Sequence, residues 1–329
     1  MTDLYAQVHE DPKGPGDARP TALNIIQDGK LEGVLQNQAV FITGCSAGMG
    51  VETAKAMYAT GATLYLKFRN REKAQSALGE MLNSERVHPL EMDLNSLASV
   101  RACAEHFLSK RKTLNILICN AGAHSPQKSQ TKDGFELHFG VNHLAHFLLF
   151  KLLKPALQAG VTPDRASRVV VLSSIAHRFA ELNLDDINYD NDYHGMLAYG
   201  ASKTANIWMA NEIERRYGPS GLHAWSVNPG AVITELNRHM TDEERASDRA
   251  DPMKKNIFKS SSQGAATAVW AATAKDLEGQ GGGYLEDVHV SRAWNSSDGQ
   301  FGPGYAPHAL DTNKANKLWE MSEEFVKSY

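Results

Sequence analysis

Cysteine is scarce in this chain: only Cys45, Cys103 and Cys119 occur among its 329 residues. They lie far apart, are odd in number and show no C-x-x-C spacing, so we expect neither a disulfide framework nor a zinc site. Few cysteines without a pairing pattern are typical of a reducing compartment, and we expect a cytoplasmic protein.

Long apolar stretches and clusters of basic residues are also missing. The most apolar stretch, 147–150, is short and leads directly into Lys151, which predicts a buried helix and no membrane span. Residues 1–37 are polar, and they lack the positive start and apolar run of a signal peptide. The net charge is −4 and no cluster of lysines and arginines is present, so we expect a small-molecule partner and no nucleic acid.

The sequence does contain a regular alternation of short apolar runs with segments of helical spacing. Near-continuous apolar strands separated by helices predict a parallel sheet covered on both faces. This is the doubly wound α/β architecture, or Rossmann fold, here expected as a single domain over 38–329 after a polar N-terminal extension, 1–37. The predicted strands are Ala39–Thr43, 63–67, 87–92, 115–119, 168–173 and 223–227.

One long segment, 236–259, interrupts this alternation between the sixth strand and the next helix. It is highly charged and has few apolar residues to anchor it. Because ligands bind at the carboxyl ends of strands in such sheets, we expect it to be a mobile lid over cofactor and substrate. A plain surface loop is the alternative.

A glycine-rich loop follows the first strand directly, with Gly44, Gly48 and Gly50 ahead of a helical segment. Glycines allow the backbone to turn tightly and to approach a pyrophosphate closely, and the free N–H groups of the helix start would face the phosphates. Three glycines could also form an ordinary turn, but a strand before and a helix after favour dinucleotide binding.

The end of the second strand indicates which dinucleotide is bound. An acid at this point would accept a hydrogen bond from a free ribose 2′-hydroxyl, whereas this strand ends in Lys67, Phe68 and Arg69 without one. A guanidinium suits a 2′-phosphate, so we expect Arg69 to select NADP(H). Alternatively, Lys67 and Arg69 are solvated surface charges.

With these motifs in this order, the chain resembles the short-chain dehydrogenase/reductase family over about 38–290. The similarity is greatest to soluble members of the retinol-dehydrogenase-like branch, as shown by Phe68-Arg69-Asn70 and Asn142-His143-Leu144. Two features depart from the pattern: Cys119 stands where the family often has asparagine, and the membrane-anchoring N-terminal helix of some members is missing. The cofactor contacts that the resemblance implies are Gly44, Ser46, Gly48, Met49, Gly50, Arg69, Asp93, Leu94, Asn120, Ala121, Gly122, Tyr199, Lys203, Pro229, Gly230, Val232 and Thr234.

The resemblance also implies a catalytic set of Asn142, Ser174, Tyr199 and Lys203. Tyr199 and Lys203 are four positions apart in a helical segment, so their side chains share one face. A free phenol has a pKa of about 10, and we expect the ammonium to lower it so that Tyr199 can transfer a proton. Ser174 would polarise the substrate oxygen, and the resemblance assigns Asn142 to a proton relay through Lys203.

Other interpretations of these residues stay open. A tyrosine and a lysine at this spacing are usually surface neighbours, and alternation along the strand allows only one of Ser173 and Ser174 to face the site. We expect His143, His146 and His177 to be packing or surface histidines, because the sequence places no carboxylate beside them.

The function expected from these features is NADP(H)-dependent reduction of a carbonyl, or oxidation of the matching alcohol, on a small and largely apolar molecule. A redox-neutral epimerase or cyclase and a non-catalytic NADP(H)-binding module are the alternatives. The helical segments 137–148 and 205–213 could form a homodimer interface or could equally be ordinary core.

Overall fold

The computed structural model describes residues 2–233, 243, 246, 250–251 and 254–329. Within these ranges the sheet has eight strands in the order β3-β2-β1-β4-β5-β6-β7-β8. All neighbours are parallel except the last pair, β7 and β8. The strands are β1 Ala39–Thr43, β2 Thr63–Phe68, β3 Val87–Glu91, β4 Ile116–Cys119, β5 Ser167–Leu172, β6 Leu222–Asn228, β7 Tyr284–Glu286 and β8 His289–Val290.

Helices cover both faces of the sheet. One face carries a core cluster with α5, α6, α7 and α10, and the other carries a cluster with α2, α3, α4 and α9. The doubly wound α/β fold expected from the sequence is therefore confirmed. The helices are α1 Thr2–Glu10, α2 Ala22–Asp28, α3 Gly48–Ala59, α4 Arg71–Leu78, α5 Leu97–Lys110, α6 Ala145–Ala159, α7 Gly195–Tyr217, α8 Ser261–Gly264, α9 Ala266–Thr273 and α10 Thr312–Phe325.

Four of the six predicted strands are buried on both faces. Every residue of β1, β4, β5 and β6 is buried, as a parallel sheet between two helix layers requires. The sequence pattern misses β7 and β8, which have three and two residues and are joined through Asp287 and Val288 at positive φ. Strands this short show no periodicity that separates them from a turn.

The N-terminal residues before β1 pack against the sheet layer. Ile25, Ile26, Leu31 and Leu35 are buried in the core cluster of α3 and α9. A capping box at Thr21 starts α2, since its side chain accepts from the Asn24 N–H and the Asn24 side chain accepts in return. This segment is polar in overall composition, yet it contributes apolar residues to the main core.

Two other expectations concern surfaces. The apolar residues of 137–148 and 205–213, among them Leu144, Leu148, Trp208 and Ile213, are buried in the core of the single chain. No helix among the described residues is both long and apolar enough to cross a membrane. Most of the expected lid, 236–259, lies outside the described residues, and that interpretation stays a prediction.

Candidate active site

A cavity of about 1140 Å³ opens at the carboxyl ends of the parallel strands. The loops that follow β1 to β6 line it, which is the position expected for ligands in an open α/β sheet. It brings together all of the expected site residues except two: Asn142 lies buried behind its wall, and Thr234 lies outside the described residues. The expected residues that line it are Gly44, Ser46, Gly48, Met49, Gly50, Arg69, Asp93, Leu94, Asn120, Ala121, Gly122, Ser174, Tyr199, Lys203, Pro229, Gly230 and Val232.

The glycine loop has the conformation that its sequence suggests. Gly44 and Gly48 have φ of 80° and 57°, in the left-handed region that favours glycine. A Cβ at Gly50 would lie 2.0 Å from the carbonyl oxygen of Gly44, so the start of α3 packs too closely on the loop for any side chain. The N-cap residue, Ala47, has no side chain that could accept from the first turn of α3. The free N–H groups of that turn are therefore a suitable anion site.

The loop after β4 holds the glycine loop in place. Asn120 Nδ2 donates to the carbonyl oxygen of Thr43 at 2.8 Å, and the Ala121 N–H donates to Thr43 Oγ1 at 2.9 Å. Asn120 Oδ1 is buried and makes no hydrogen bond among the described residues. The site thus keeps an unused acceptor beside the glycine loop, next to where a ligand would bind.

Two cations follow the second strand, in different environments. Arg69 is exposed at the rim of the cavity, whereas Lys67 is only 6% exposed and lies in its floor. Burial lowers the pKa of Lys67 to about 8, although the carboxylate of Asp93 opposes this shift. The interpretation of Lys67 as a solvated surface charge is therefore wrong. The sequence pattern predicts that a lysine at a strand end is exposed. Where that strand end borders a ligand cavity, the lysine can be buried in the cavity wall.

Ser174, Tyr199 and Lys203 meet at the bottom of the cavity. Burial raises the pKa of Tyr199 to about 12, and the neighbouring Ser174 hydroxyl opposes this shift. Lys203 Nζ lies 5.5 Å from the centre of the Tyr199 ring and donates to the carbonyl oxygen of Leu172 at 3.1 Å. Ser173 points elsewhere, since its hydroxyl donates to the backbone oxygen of Lys203 at 2.8 Å.

The pKa values of this group differ from the expectation. The expected lowering of the Tyr199 pKa is wrong, because burial removes the phenolate from water. This effect is larger than the opposing effect of Ser174. Burial also lowers the pKa of Lys203 to about 8. Near neutral pH the phenol therefore carries its proton, and the lysine is close to its titration range.

Asn142 lies in a π-helical stretch, Phe139–Leu144, that continues into α6. Its Oδ1 accepts from the Ala123 N–H at 2.7 Å, and its Nδ2 donates to Ser202 Oγ at 3.0 Å. The side chain therefore ties the loop after β4 to α7, the helix that carries Tyr199 and Lys203. Because both polar atoms of the Asn142 side chain are hydrogen-bonded within the protein, we interpret Asn142 as a residue that holds the site together.

The three histidines considered from the sequence are buried and neutral. Burial lowers the pKa of His143 to about 3 and those of His146 and His177 to about 4. His146 Nε2 is hydrogen-bonded to Thr43 Oγ1 at 3.0 Å, and His177 Nδ1 to the Ser174 carbonyl at 2.7 Å. They pack and brace the site, and none has the pKa of an acid–base group at neutral pH.

Sequence reasoning missed several residues of the cavity wall. His124 lines the cavity, and its ring meets the Tyr199 ring edge-on at 5.2 Å. Its position two residues after Gly122 was the available signal, because that loop follows β4 into the site. An apolar part of the wall is formed by Leu137, Val141, Ile175, Phe179 and Met196, together with Phe258 of the segment 236–259, which was expected to lie over the substrate.

Comparisons with known proteins place these features in context. A family model described as short chain dehydrogenase matches residues 38–245. The short-chain dehydrogenase/reductase prx1 of Penicillium roqueforti is 44% identical over 97% of this chain and 93% of its own length. Retinol dehydrogenase 12 of Mus musculus is 37% identical over 89% of this chain and 87% of its own length. An uncharacterised protein of Mycobacterium paratuberculosis has a similar solved structure, with a TM-score of 0.69, 30% identity, and coverage of 94% of this chain and 98% of that one.

Proposed function

The chain belongs to the short-chain dehydrogenase family, and on that premise we propose that it is an NADP(H)-dependent oxidoreductase. It reduces a ketone or aldehyde of a small, largely apolar molecule, or oxidises the corresponding alcohol. The observation that carries this proposal is the group of Ser174, Tyr199 and Lys203 at the bottom of the cavity that the glycine loop borders.

The proton chemistry follows from the charges of this group. Because the pKa of Tyr199 is about 12, its phenol holds a proton near neutral pH and can donate it to a carbonyl oxygen during reduction. Ser174 donates a hydrogen bond to the same oxygen and stabilises the charge that develops there. The ammonium of Lys203, 5.5 Å from the ring, favours the phenolate that is left behind. A bound nicotinamide supplies the hydride, or accepts it in the reverse direction.

The residues that border the cavity fit NADP(H). The open first turn of α3 and the glycine loop suit a pyrophosphate, and the rim cation Arg69 suits a 2′-phosphate. We extend the proposed contacts to Asp93 and Leu94 for the adenine, and to Pro229, Gly230, Val232 and Thr234 for the nicotinamide. Asn142 bonds Ser202, the neighbour of Lys203 on α7, and so supports the helix that carries the proton path.

The substrate class is proposed from the cavity wall. Phe179 and Met196 are exposed apolar side chains at the cavity, and Phe258 also lines it. Burying such side chains against a ligand removes apolar surface from water, which favours a substrate with a sizeable apolar body.

The proposal is tested by NADPH oxidation with a panel of ketones and aldehydes, read from the nicotinamide absorbance. Tyr199→Phe should lose turnover but still bind NADPH, because the phenol supplies a proton and little cofactor contact. Tyr58→Phe on α3 is the matched control, since its hydroxyl contacts Ser84 and is absent from the cavity lining. A wild-type protein that binds NADPH but oxidises it with no carbonyl would favour a redox-neutral reaction or a non-catalytic module.

A further inference from the structure

Arg19 lies between α1 and α2 and is only 4% exposed, although it carries a permanent charge. Its guanidinium donates to three successive backbone carbonyls far along the chain. These are the carbonyls of Asn256 at 3.3 Å, Ile257 at 3.0 Å and Phe258 at 2.5 Å. Three consecutive carbonyls can converge on one donor group only if the backbone curves around it, so this segment is shaped by Arg19.

The charge of Arg19 is neutralised by Asp17. Arg19 Nε donates to Asp17 Oδ1 at 2.8 Å, and Gln263 Nε2 donates to the same oxygen at 2.9 Å. Burial alone would raise the pKa of Asp17, but the hydrogen bonds from Arg19 and from the Lys13 N–H lower it to about 2. The ion pair is therefore fully charged near neutral pH, and each buried partner has hydrogen bonds.

The segment that Arg19 holds reaches the active-site cavity. Phe258 lines the cavity, and the next residue, Lys259, donates its N–H to the carbonyl oxygen of Ala231 at 2.8 Å. Lys259 Nζ also pairs with Asp287 at 2.5 Å and lies against Gly230. Residues 256–259 are thus fixed between the N-terminal segment on one side and the cavity wall after β6 on the other.

We infer that Arg19 is a positioning residue for the active site: the N-terminal segment holds 256–259 so that Phe258 forms part of the substrate-binding wall. The placement stands on the contacts above, and the link to substrate binding rests on the proposed function. Removing the guanidinium takes away the donor that three partly buried carbonyls share, and the segment must rearrange to find other partners. Phe258 then loses its fixed place, and the apolar part of the substrate loses a contact.

The first test does not depend on activity. Hydrogen exchange followed by mass spectrometry should show faster exchange over 256–263 in Arg19→Gln than in the wild type, with the amides of β4 unchanged. Arg101→Gln, an arginine on the surface of α5, is the matched control. If Arg19→Gln does not fold, Arg19→Lys is measured instead, since it keeps the charge but its three donors cannot replace the five hydrogen bonds of Arg19. Unchanged exchange over 256–263 would overturn the inference.

The second test is a double-mutant cycle with Phe258→Ala on a substrate found in the panel. Each single variant should raise KM by roughly ten-fold, with a smaller change in kcat, because both lose the same apolar contact. The double variant should show little further increase, since Arg19 acts through Phe258. Independent, multiplicative effects on KM would refute this route. A wild type without turnover would contradict the proposed function, while the exchange result would still decide the placement.

Discussion

Replacing Lys203 with methionine should stabilise the fold while it removes the reaction. Lys203 is 4% exposed, and its ammonium has one hydrogen bond, to the carbonyl of Leu172, and no carboxylate within ion-pair distance among the described residues. Burial lowers its pKa from 10.5 to about 8. The folded state therefore holds a cation in surroundings that disfavour its charge.

The size of the effect follows from that shift. At about 1.4 kcal/mol for each pKa unit, the lowering to about 8 means that the charged lysine destabilises the folded state by about 3 kcal/mol at neutral pH. Losing the hydrogen bond to Leu172 costs about 1 kcal/mol, so Lys203→Met should gain about 2 kcal/mol in free energy of unfolding. Methionine has a similar length and leaves no large cavity.

The gain should also depend on pH in a defined direction. Below pH 8 the lysine is protonated in both states, and the whole penalty is present. Between pH 8 and 10.5 the folded state has released the proton while the unfolded state still binds it, so the wild type becomes more stable as pH rises. The advantage of Lys203→Met should therefore be largest below pH 8 and should disappear towards pH 10.5.

Urea unfolding at several pH values measures this difference directly. Lys259→Met is the matched control, because Lys259 is equally buried but is paired with Asp287 at 2.5 Å. Breaking that pair takes the nearest cation away from the Asp287 carboxylate and should lower the free energy of unfolding, which is the opposite of the change expected for Lys203→Met. A Lys203→Met protein that is less stable than the wild type at neutral pH, or a gain that is constant with pH, would refute the reasoning.

Three further results are expected. Ser174→Ala should lower kcat about 100-fold without weakening NADPH binding. It should also shift the alkaline pH dependence of alcohol oxidation to higher pH, because the Ser174 hydroxyl lowers the pKa of Tyr199. An unshifted pH profile would contradict that effect. Arg69→Ala should weaken NADPH about ten-fold by fluorescence titration and NADH little, and equal affinities in the wild type would refute the 2′-phosphate role. Gly50→Ala places a Cβ 2.0 Å from the backbone of its own loop and should abolish NADPH binding. Gly79→Ala strains its own turn, at φ +54°, but meets no atom within 4 Å and should keep NADPH binding. Retained binding in Gly50→Ala would show that the loop can shift.

The sheet and the location of the site could be predicted because they depend on local signals. Strands such as β1 and β5 are buried throughout, and each contains a continuous run of apolar residues that the sequence pattern detects. Once β1, the glycine loop and α3 are recognised, the other loops at the carboxyl edge have little freedom in where they lie. The positions of Ser174 and Tyr199 relative to each other follow from β5 and α7 in the same way.

What could not be predicted depends on contacts between distant parts of the chain. The guanidinium of Arg19 also donates to the carbonyls of 256–258, and no local pattern around Arg19 indicates these distant partners. Likewise, the burial of Lys67 depends on which face of β2 meets the cavity, and the raised pKa of Tyr199 depends on how completely the chain encloses it. Periodicity reports the burial of apolar residues well, but it does not report the burial of polar residues that find partners elsewhere.

Among the described residues, the buried lysines and arginines separate into two groups, and the division coincides with the cavity. Arg19, Arg168 and Lys259 are buried with a carboxylate at hydrogen-bond distance, and none of them lines the cavity. Lys67 and Lys203 are buried and, among the described residues, have no carboxylate within ion-pair distance, and both line the cavity. A fold gains nothing from an unpaired buried charge, which costs several kcal/mol. We expect such charges at places where a bound anion, or a negative charge that develops during the reaction, compensates them. Lys67 and Lys203 therefore lie where an anionic cofactor and the Tyr199 phenolate, respectively, are expected.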